Sequence, residues 1–231
     1  IAIGGYLNSK KPYVSIIIPT LDEKKTIYNT IKGIKDIMRG YSYEIIVVDS
    51  SSDDTPNIAR RMGVRVLKYK EPGKGAALLY GFKKARGKII ISMDADLSNR
   101  PRELKLLISG IEAGYDVCMG SRFLVGGGSE DMPFVRKFGN KVFVSIVNLL
   151  FGSHYTDMCY GYRSFSSKAL KKLHLKEKGF GIETEMNIKA QKAHLHILEV
   201  PSFEKSRKGG AGKLNTFRDG YIILSTIFRN L

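Results

Sequence analysis

The chain has 231 residues, 43% of them hydrophobic, and carries a net charge of +16 with no tryptophan. That length and apolar content exclude a disordered chain and suit one sizeable α/β domain or a domain with an appendage. The positive surplus calls for an anionic partner: nucleic acid, phosphorylated small molecules or an anionic membrane surface.

No apolar stretch reaches the roughly 18 residues a membrane span requires. No signal-peptide pattern is visible, and residues 1–12 read as a leader or an expression remnant. Cys118 and Cys159 make no ligand-spaced pair and read as buried free thiols of a reducing compartment. The four histidines make no zinc pattern. His194 and His196 alternate with Leu195 and Ile197, as on one face of a strand.

Taken in order, Val14 to Ile18 is a continuous apolar run stopped by Pro19-Thr20, which predicts a buried strand. A helix begins near Asp22-Glu23, with Ile27, Ile31, Ile34, Ile37 and Met38 on one face. Glu44 to Val48 is a second strand ending at Asp49, and a capped helix starts near Pro56. Val64 to Leu67 is a third strand. Gly73-Lys74-Gly75 opens a helix over 76–85, and Ile89 to Met93 is a fourth strand.

Downstream come a helix over 103–112, a strand over 116–120 and a loop around Gly126-Gly127-Gly128. A long helix over 134–151 is apolar on one side through Phe138, Val142, Phe143, Ile146, Leu149 and Leu150. A strand over 160–165, helices over 167–173 and 183–193, and a strand over 195–200 follow. Residues 205–213 are basic and glycine-rich. The last helix, 217–231, is amphipathic, with Tyr221, Ile222, Leu224, Ile227, Phe228 and Leu231 on its apolar side.

Strands alternate with helices, so the expected fold is α/β with a mostly parallel sheet covered on both faces. Such sheets bind ligands outside the carboxyl ends of their strands. The acidic residues gather there, at 19–23, 49–54 and 94–96. Asp94 and Asp96, one residue apart after a buried strand, suit a hard divalent cation that borrows its remaining ligands from a diphosphate. The alternative is a cap, with Asp96 or Ser98 serving the helix that Pro101 begins.

Other positions carry paired readings as well. Asp49 can accept hydrogen bonds from a base edge or ribose hydroxyls, or cap a turn. Gly73-Lys74-Gly75 lets backbone approach an anion at a helix N-terminus, or is a tight turn with Lys74 solvated. Glu183 and Glu185 complement a helix dipole or face the site. Asp157 and Arg163 flank a strand and can pair.

Several motifs occur in a specific order: Ile18-Pro19-Thr20-Leu21-Asp22-Glu23, Val47-Val48-Asp49, Gly73-Lys74-Gly75-Ala76-Ala77 and Met93-Asp94-Ala95-Asp96-Leu97-Ser98. Gly120-Ser121-Arg122-Phe123, residues 136–140, 157–163 and 181–185, and Arg207 through Lys213-Leu214 continue the series. In this the chain resembles family 2 glycosyltransferases of the GT-A fold, and within them the polyprenyl-phosphate hexose synthases, over about residues 13–220. Departures are the Ser50-Ser51-Ser52-Asp53-Asp54 loop, Ser98 in place of a common Gln, and Asn140 in place of a Ser.

The resemblance implies a catalytic domain over 13–213 and an amphipathic membrane-proximal helix over 214–231. It implies inverting transfer of a hexose, mannose from GDP-mannose favoured, to dolichyl or polyprenyl phosphate. Asp94 and Asp96 would hold Mg2+ or Mn2+ and, with Arg122, form the catalytic set. Pro19, Leu21, Glu23, Asp49, Lys74, Asp94, Ala95 and Asp96 would bind the nucleotide sugar. Arg122, Arg136, Asn140, Arg207 and Lys213 would bind the acceptor phosphate, arginine being suited to grip phosphate bidentately.

The helices over 134–151 and 217–231 would lie on a membrane, or alternatively pack on the core. The implied location is peripheral, on the cytoplasmic face, with an anchoring partner or a membrane segment after Leu231. Rival readings are a UDP-sugar transferase acting on polyprenyl phosphate or on a saccharide, and a basic nucleic-acid-binding module. A saccharide hydroxyl needs a general base. No nucleic-acid motif or stacking platform is present, and no Gly-x-Gly-x-x-Gly follows the first strand.

Overall fold

The computed structural model describes residues 11–71, 73–130, 132–209 and 216–231. The first half runs β1 (Val14–Thr20), α1 (Ile27–Ile37), β2 (Tyr43–Asp49), α2 (Thr55–Arg61), β3 (Arg65–Lys68), α3 (Lys74–Lys84) and β4 (Ile89–Ser92). The second half runs α4 (Leu104–Glu112), β5 (Val117–Ser121), β6 (Gly128–Ser129), α5 (Phe134–Phe151), β7 (Arg163–Ser166), α6 (Ser167–Lys172), α7 (Ile182–Lys192), β8 (Ile197–Pro201), β9 (Phe203–Glu204) and α8 (Thr216–Arg229).

Seven strands form one sheet in the order β3-β2-β1-β4-β7-β5-β8. All pairings are parallel except those of β7, which runs antiparallel between β4 and β5. Both faces are covered, because side chains alternate across a strand. Ile16, Ile18, Ile45 and Val47 face the α1 and α4 side. Ile17, Ile46 and Val48 face α3 and α7. Each such side chain contributes about 1.5–3 kcal/mol by leaving water. Gly81 lets α3 lie close: a Cβ there would sit 2.4 Å from Ile17 Cγ2.

Element boundaries shift from the sequence reading where local turns intervene. The first helix starts at Ile27 rather than near Asp22, which sits at φ 55 in the turn before it. The strand expected over 160–165 is β7, Arg163–Ser166, because residues 157–161 form a loop beside the acidic edge. His194 occupies a turn at φ 50 and β8 begins only at Ile197, so the two histidines do not share a strand face.

The two amphipathic helices divide their apolar residues. Val147 of α5 and Ile223 and Ile227 of α8 are buried in a third cluster with Met158 and Ile188, and Phe143 and Ile146 pack against it. Phe134, Phe138, Leu149, Phe217, Tyr221 and Phe228 remain exposed. Among the described residues no helix is long and apolar enough to cross a membrane.

Candidate active site

The parallel register brings the acidic edge together. Thr20 lies opposite Asp49, and Ile17 opposite Ser92, so the chain past β4 emerges beside the ends of β1 and β2. A cavity of about 1400 Å³ opens there. Its floor includes Pro19, Leu21, Glu23, Asp94, Ala95 and Asp96, and α5 and α8 overhang it with Arg136, Phe138, Phe217 and Tyr221.

Asp94 and Asp96 are held by short-range bonds. The Asp94 N–H donates to Asn99 Oδ1 at 2.8 Å, and Asp96 Oδ1 accepts the Ser98 N–H at 3.0 Å. Leu97 takes φ 67 to close that turn. Asp96 thus caps its own turn rather than the helix, which Arg100 precedes with Pro101 at its first position.

The remaining carboxylate oxygens meet cations. Lys74 Nζ lies 2.8 Å from Asp94 Oδ1 and 3.0 Å from Glu183 Oε1. Burial alone would lower the Lys74 pKa; Asp94 and Glu183 outweigh it and raise it above the ordinary lysine value. The ammonium thus sits paired between two carboxylates inside the cavity. Gly161 makes room for this cluster, since a Cβ there would fall 2.8 Å from Lys74 Nζ and 3.1 Å from Glu183 Oε1.

Arg207 spans the other carboxylates, with Nη1 3.0 Å from Asp96 Oδ2 and Nη2 on Glu23. Its segment is tied down by the N–H groups of Lys205 and Lys208, which donate to the carbonyls of Ser98 and Asp96.

Gly73 and Gly75 serve a different approach from the one expected of an anion cradle. A Cβ at Gly73 would meet Lys178 O at 2.2 Å, and one at Gly75 would meet Glu177 O at 2.4 Å. The Ala76 N–H donates to Lys178 O at 2.9 Å. These glycines admit the 177–179 backbone, and Lys74 is paired rather than solvated.

Asp49 is fully buried. It accepts from Thr20 Oγ1 at 2.9 Å, and Lys68 Nζ stands 3.7 Å from Oδ2. Oδ2 has no hydrogen-bond partner among the described residues.

Arg122 is engaged by protein carboxylates. Nε and Nη2 clasp Asp157 at 2.7 and 2.9 Å, and Nη1 reaches Glu204 at 3.0 Å. Burial opposes its charge, but Asp157 and Glu204 more than compensate and raise its pKa. Asp157 does not pair with Arg163. That fully buried guanidinium instead donates to Asn187 Oδ1 and to the carbonyls of Glu183 and Tyr160. Burial lowers its pKa.

Asn140 is buried and accepts the Met158 N–H through Oδ1 at 3.0 Å, so this side chain anchors the 157–161 loop. Arg136 is exposed in the first turn of α5 and faces the cavity mouth. Lys213 lies outside the described residues.

Glu183 and Glu185, equivalent in sequence, separate in space. Glu183 enters the cavity, whereas Glu185 accepts the N–H groups of Lys176 and Glu177 at 2.9 and 2.7 Å and pairs with Lys189. Tyr160 and Gly161, inside the 157–163 motif, and Asn99, five residues past Asp94, join the site without a role that motif alone assigns.

Among the described residues no group of three or more His, Cys, Asp or Glu side chains could hold a metal alone. The pair Asp94 and Asp96 nonetheless fits a hard cation completed by water and diphosphate oxygens, since magnesium-type sites use one or two carboxylates. Both side chains line the cavity and neither is fully buried.

The family sequence model for glycosyl transferase family 2 matches residues 15–174. The chain is 32% identical over 209 residues to a dolichol-phosphate mannosyltransferase of Pyrococcus furiosus, covering 87% of this chain and 59% of that one. It is 29% identical over 216 residues to a dolichyl-phosphate hexose transferase of Haloferax volcanii, covering 94% of this chain and 92% of that one. The fold matches glucosyl-3-phosphoglycerate synthase of Mycobacterium tuberculosis, crystallised with Mn2+, UDP and glucosyl-3-phosphoglycerate. The TM-score is 0.76 at 21% identity, with 95% of this chain and 80% of that one covered.

Fold and sequence together define a glycosyltransferase of GT-A architecture. The chain belongs to glycosyl transferase family 2, and it spans just over half the length of the Pyrococcus relative.

Proposed function

We propose that this protein transfers a hexose, with inversion, from a nucleoside diphosphate sugar to a polyprenyl (dolichyl) phosphate at the cytoplasmic face of a membrane. GDP-mannose is the favoured donor. The carrying observation is the cavity itself: acidic at its floor through Asp94 and Asp96, and overhung by two helices with exposed aromatic residues. The names of the Pyrococcus and Haloferax relatives support the acceptor class.

In this reading an oxygen of the lipid phosphate attacks the anomeric carbon. The new carbon–oxygen bond forms as the bond to the diphosphate breaks, and the nucleoside diphosphate leaves with the electron pair. A single displacement inverts the anomeric centre. The acceptor is largely ionised near neutral pH, since a phosphate monoester has a second pKa of about 6. No general base is needed, which suits a site whose buried carboxylates are paired with cations.

Asp94 and Asp96 would hold Mg2+ or Mn2+, which when bound neutralises charge growing on the departing diphosphate. Lys74 adds a fixed positive charge beside Asp94. Asp49, fully buried between Thr20 and Lys68 and outside the cavity lining, braces the end of β2 rather than meeting the base or ribose directly. Arg136 stands at the mouth where a lipid headgroup would enter, and Arg207 lines the same cavity, paired with Glu23 and Asp96.

The test is direct. The protein is incubated with dolichyl phosphate, Mn2+ or Mg2+, and each of GDP-mannose, UDP-glucose and UDP-N-acetylglucosamine, and the lipid fraction is analysed. A hexosyl-phosphate lipid formed from GDP-mannose supports the reading. Product from a UDP-sugar alone replaces the donor. Transfer to a saccharide but not to the lipid overturns it.

A further inference from the structure

We infer that Tyr160 is a positioning residue that links the donor-side carboxylate Asp94 to the acceptor-side Arg122, and that Asn99 is its partner in doing so. The inference rests on the proposed metal-side role of Asp94 and on the acceptor-phosphate role that the family resemblance implies for Arg122; the linkage itself is geometric.

Tyr160 is almost fully buried beneath the cavity and presents two different surfaces. Its ring carries the Arg122 guanidinium, whose Cζ stands 4.8 Å from the ring centroid. A cation over an aromatic face is attracted by the ring quadrupole, and more strongly once desolvated. Arg122 is therefore fixed from three sides, by Asp157, Glu204 and this ring.

The hydroxyl points the other way. Asn99 Nδ2 donates to it at 3.0 Å, while Asn99 Oδ1 accepts the Asp94 N–H at 2.8 Å. One amide thus reads both the tyrosine and the backbone of the metal-side aspartate. Ser202 Oγ lies 3.1 Å from the same hydroxyl and 2.5 Å from Glu103 Oε2. Serine has a single hydroxyl proton. With that proton donated to Glu103 Oε2, the Tyr160 O–H donates to Ser202 Oγ, giving one directed chain: Asn99 to Tyr160 to Ser202 to Glu103. Every polar atom in it is satisfied, which fixes the ring in one orientation.

Two further features fit a built device. Gly120 has no side chain where a Cβ would lie 3.0 Å from Tyr160 Cε1 and 2.8 Å from Ser202 Cβ. The Tyr160 carbonyl accepts from buried Arg163, fixing the backbone just before Gly161. Groups behind metal-side ligands change affinity or activity about 10–100-fold when removed.

Tyr160→Phe keeps the ring and removes the hydroxyl; Asn99→Ala removes the amide. Tyr160→Leu removes the ring. Mn2+ with GDP, and separately with UDP, is titrated calorimetrically into each variant, and KM for dolichyl phosphate is measured in parallel.

The expected result is about tenfold weaker nucleotide binding in Tyr160→Phe and in Asn99→Ala, with the double variant no worse than either single. Only Tyr160→Leu should also raise acceptor KM. Wild-type nucleotide affinity in folded Tyr160→Phe, or losses that multiply in the double variant, would overturn the linkage. If Tyr160→Phe does not fold, Asn99→Ala decides by the same titration. If wild-type protein binds Mn2+ and nucleotide but makes no lipid product, the acceptor reading fails and the titrations still decide the link to Asp94.

Discussion

Arg207 Nη1 donates to Asp96 Oδ2 at 3.0 Å across 111 residues of chain, and the same guanidinium also holds Glu23. One of the two candidate metal carboxylates is thus neutralised by the protein's own cation. A metal must compete for it.

Arg207→Ala should therefore tighten binding of Mn2+ alone while lowering hexose transfer. The gain should be about tenfold, equivalent to about 1.4 kcal/mol. Calorimetric titration of Mn2+ without nucleotide reads the first effect and turnover the second. Weaker Mn2+ binding in the variant would mean that Arg207 supports the metal position instead of competing for it.

The glycines make a contrasting pair of predictions. Gly161→Ala pushes a methyl group at the Lys74 ammonium, the far end of a flexible side chain, so the fold should survive. Donor KM should rise several-fold while Tm changes little. Gly75→Ala drives a methyl into the backbone of 177–179 and should cost about 2 kcal/mol or more. Thermal denaturation beside donor kinetics separates the two.

Much of this was legible in the sequence. The apolar runs at Ile16 to Ile18, Ile45 to Val48 and Ile89 to Ile91 announced buried parallel strands, and Asp94 and Asp96 followed from where such a strand ends. Local pattern could not show that Lys74 meets Glu183, or that Arg122 clasps Asp157 instead of standing free. Those contacts depend on how distant segments pack. Nor could it separate Glu183 from Glu185, two residues apart on one helix, because the choice depends on which face α7 turns toward α3. The antiparallel course of β7 was hidden for the same reason.

Glu44, at the opposite end of the sheet, sets a pH dependence. Burial pushes its carboxyl up, but hydrogen bonds from Ser15 and Arg86 outweigh this and hold it below the ordinary value. The stabilisation is therefore present above the unfolded glutamate pKa of about 4.3 and is lost as pH falls through the lower folded value. Glu44→Gln should lower stability near neutrality and flatten the acid limb of a denaturation series. An acid limb as steep as wild type would contradict this. Donor binding should be unaffected.

The overhanging helices predict a separable membrane function. Phe138 and Phe217 are 59% and 86% exposed, so replacing both with Ser should leave Tm unchanged. Binding to anionic vesicles should fall about tenfold or more in a flotation assay, through lost apolar burial in the interface. Undiminished flotation at low salt would assign the exposed aromatics another partner.

The most direct measurement is transfer of labelled mannose from GDP-mannose to dolichyl phosphate by wild type, Asp94→Ala and Asp96→Ala, each with Mn2+ and with a chelator. Wild type should form a mannosyl-phosphate lipid only with metal, and folded Asp94→Ala and Asp96→Ala should lose at least about a hundredfold. Full transfer by either folded variant, or by wild type with chelator, would contradict it.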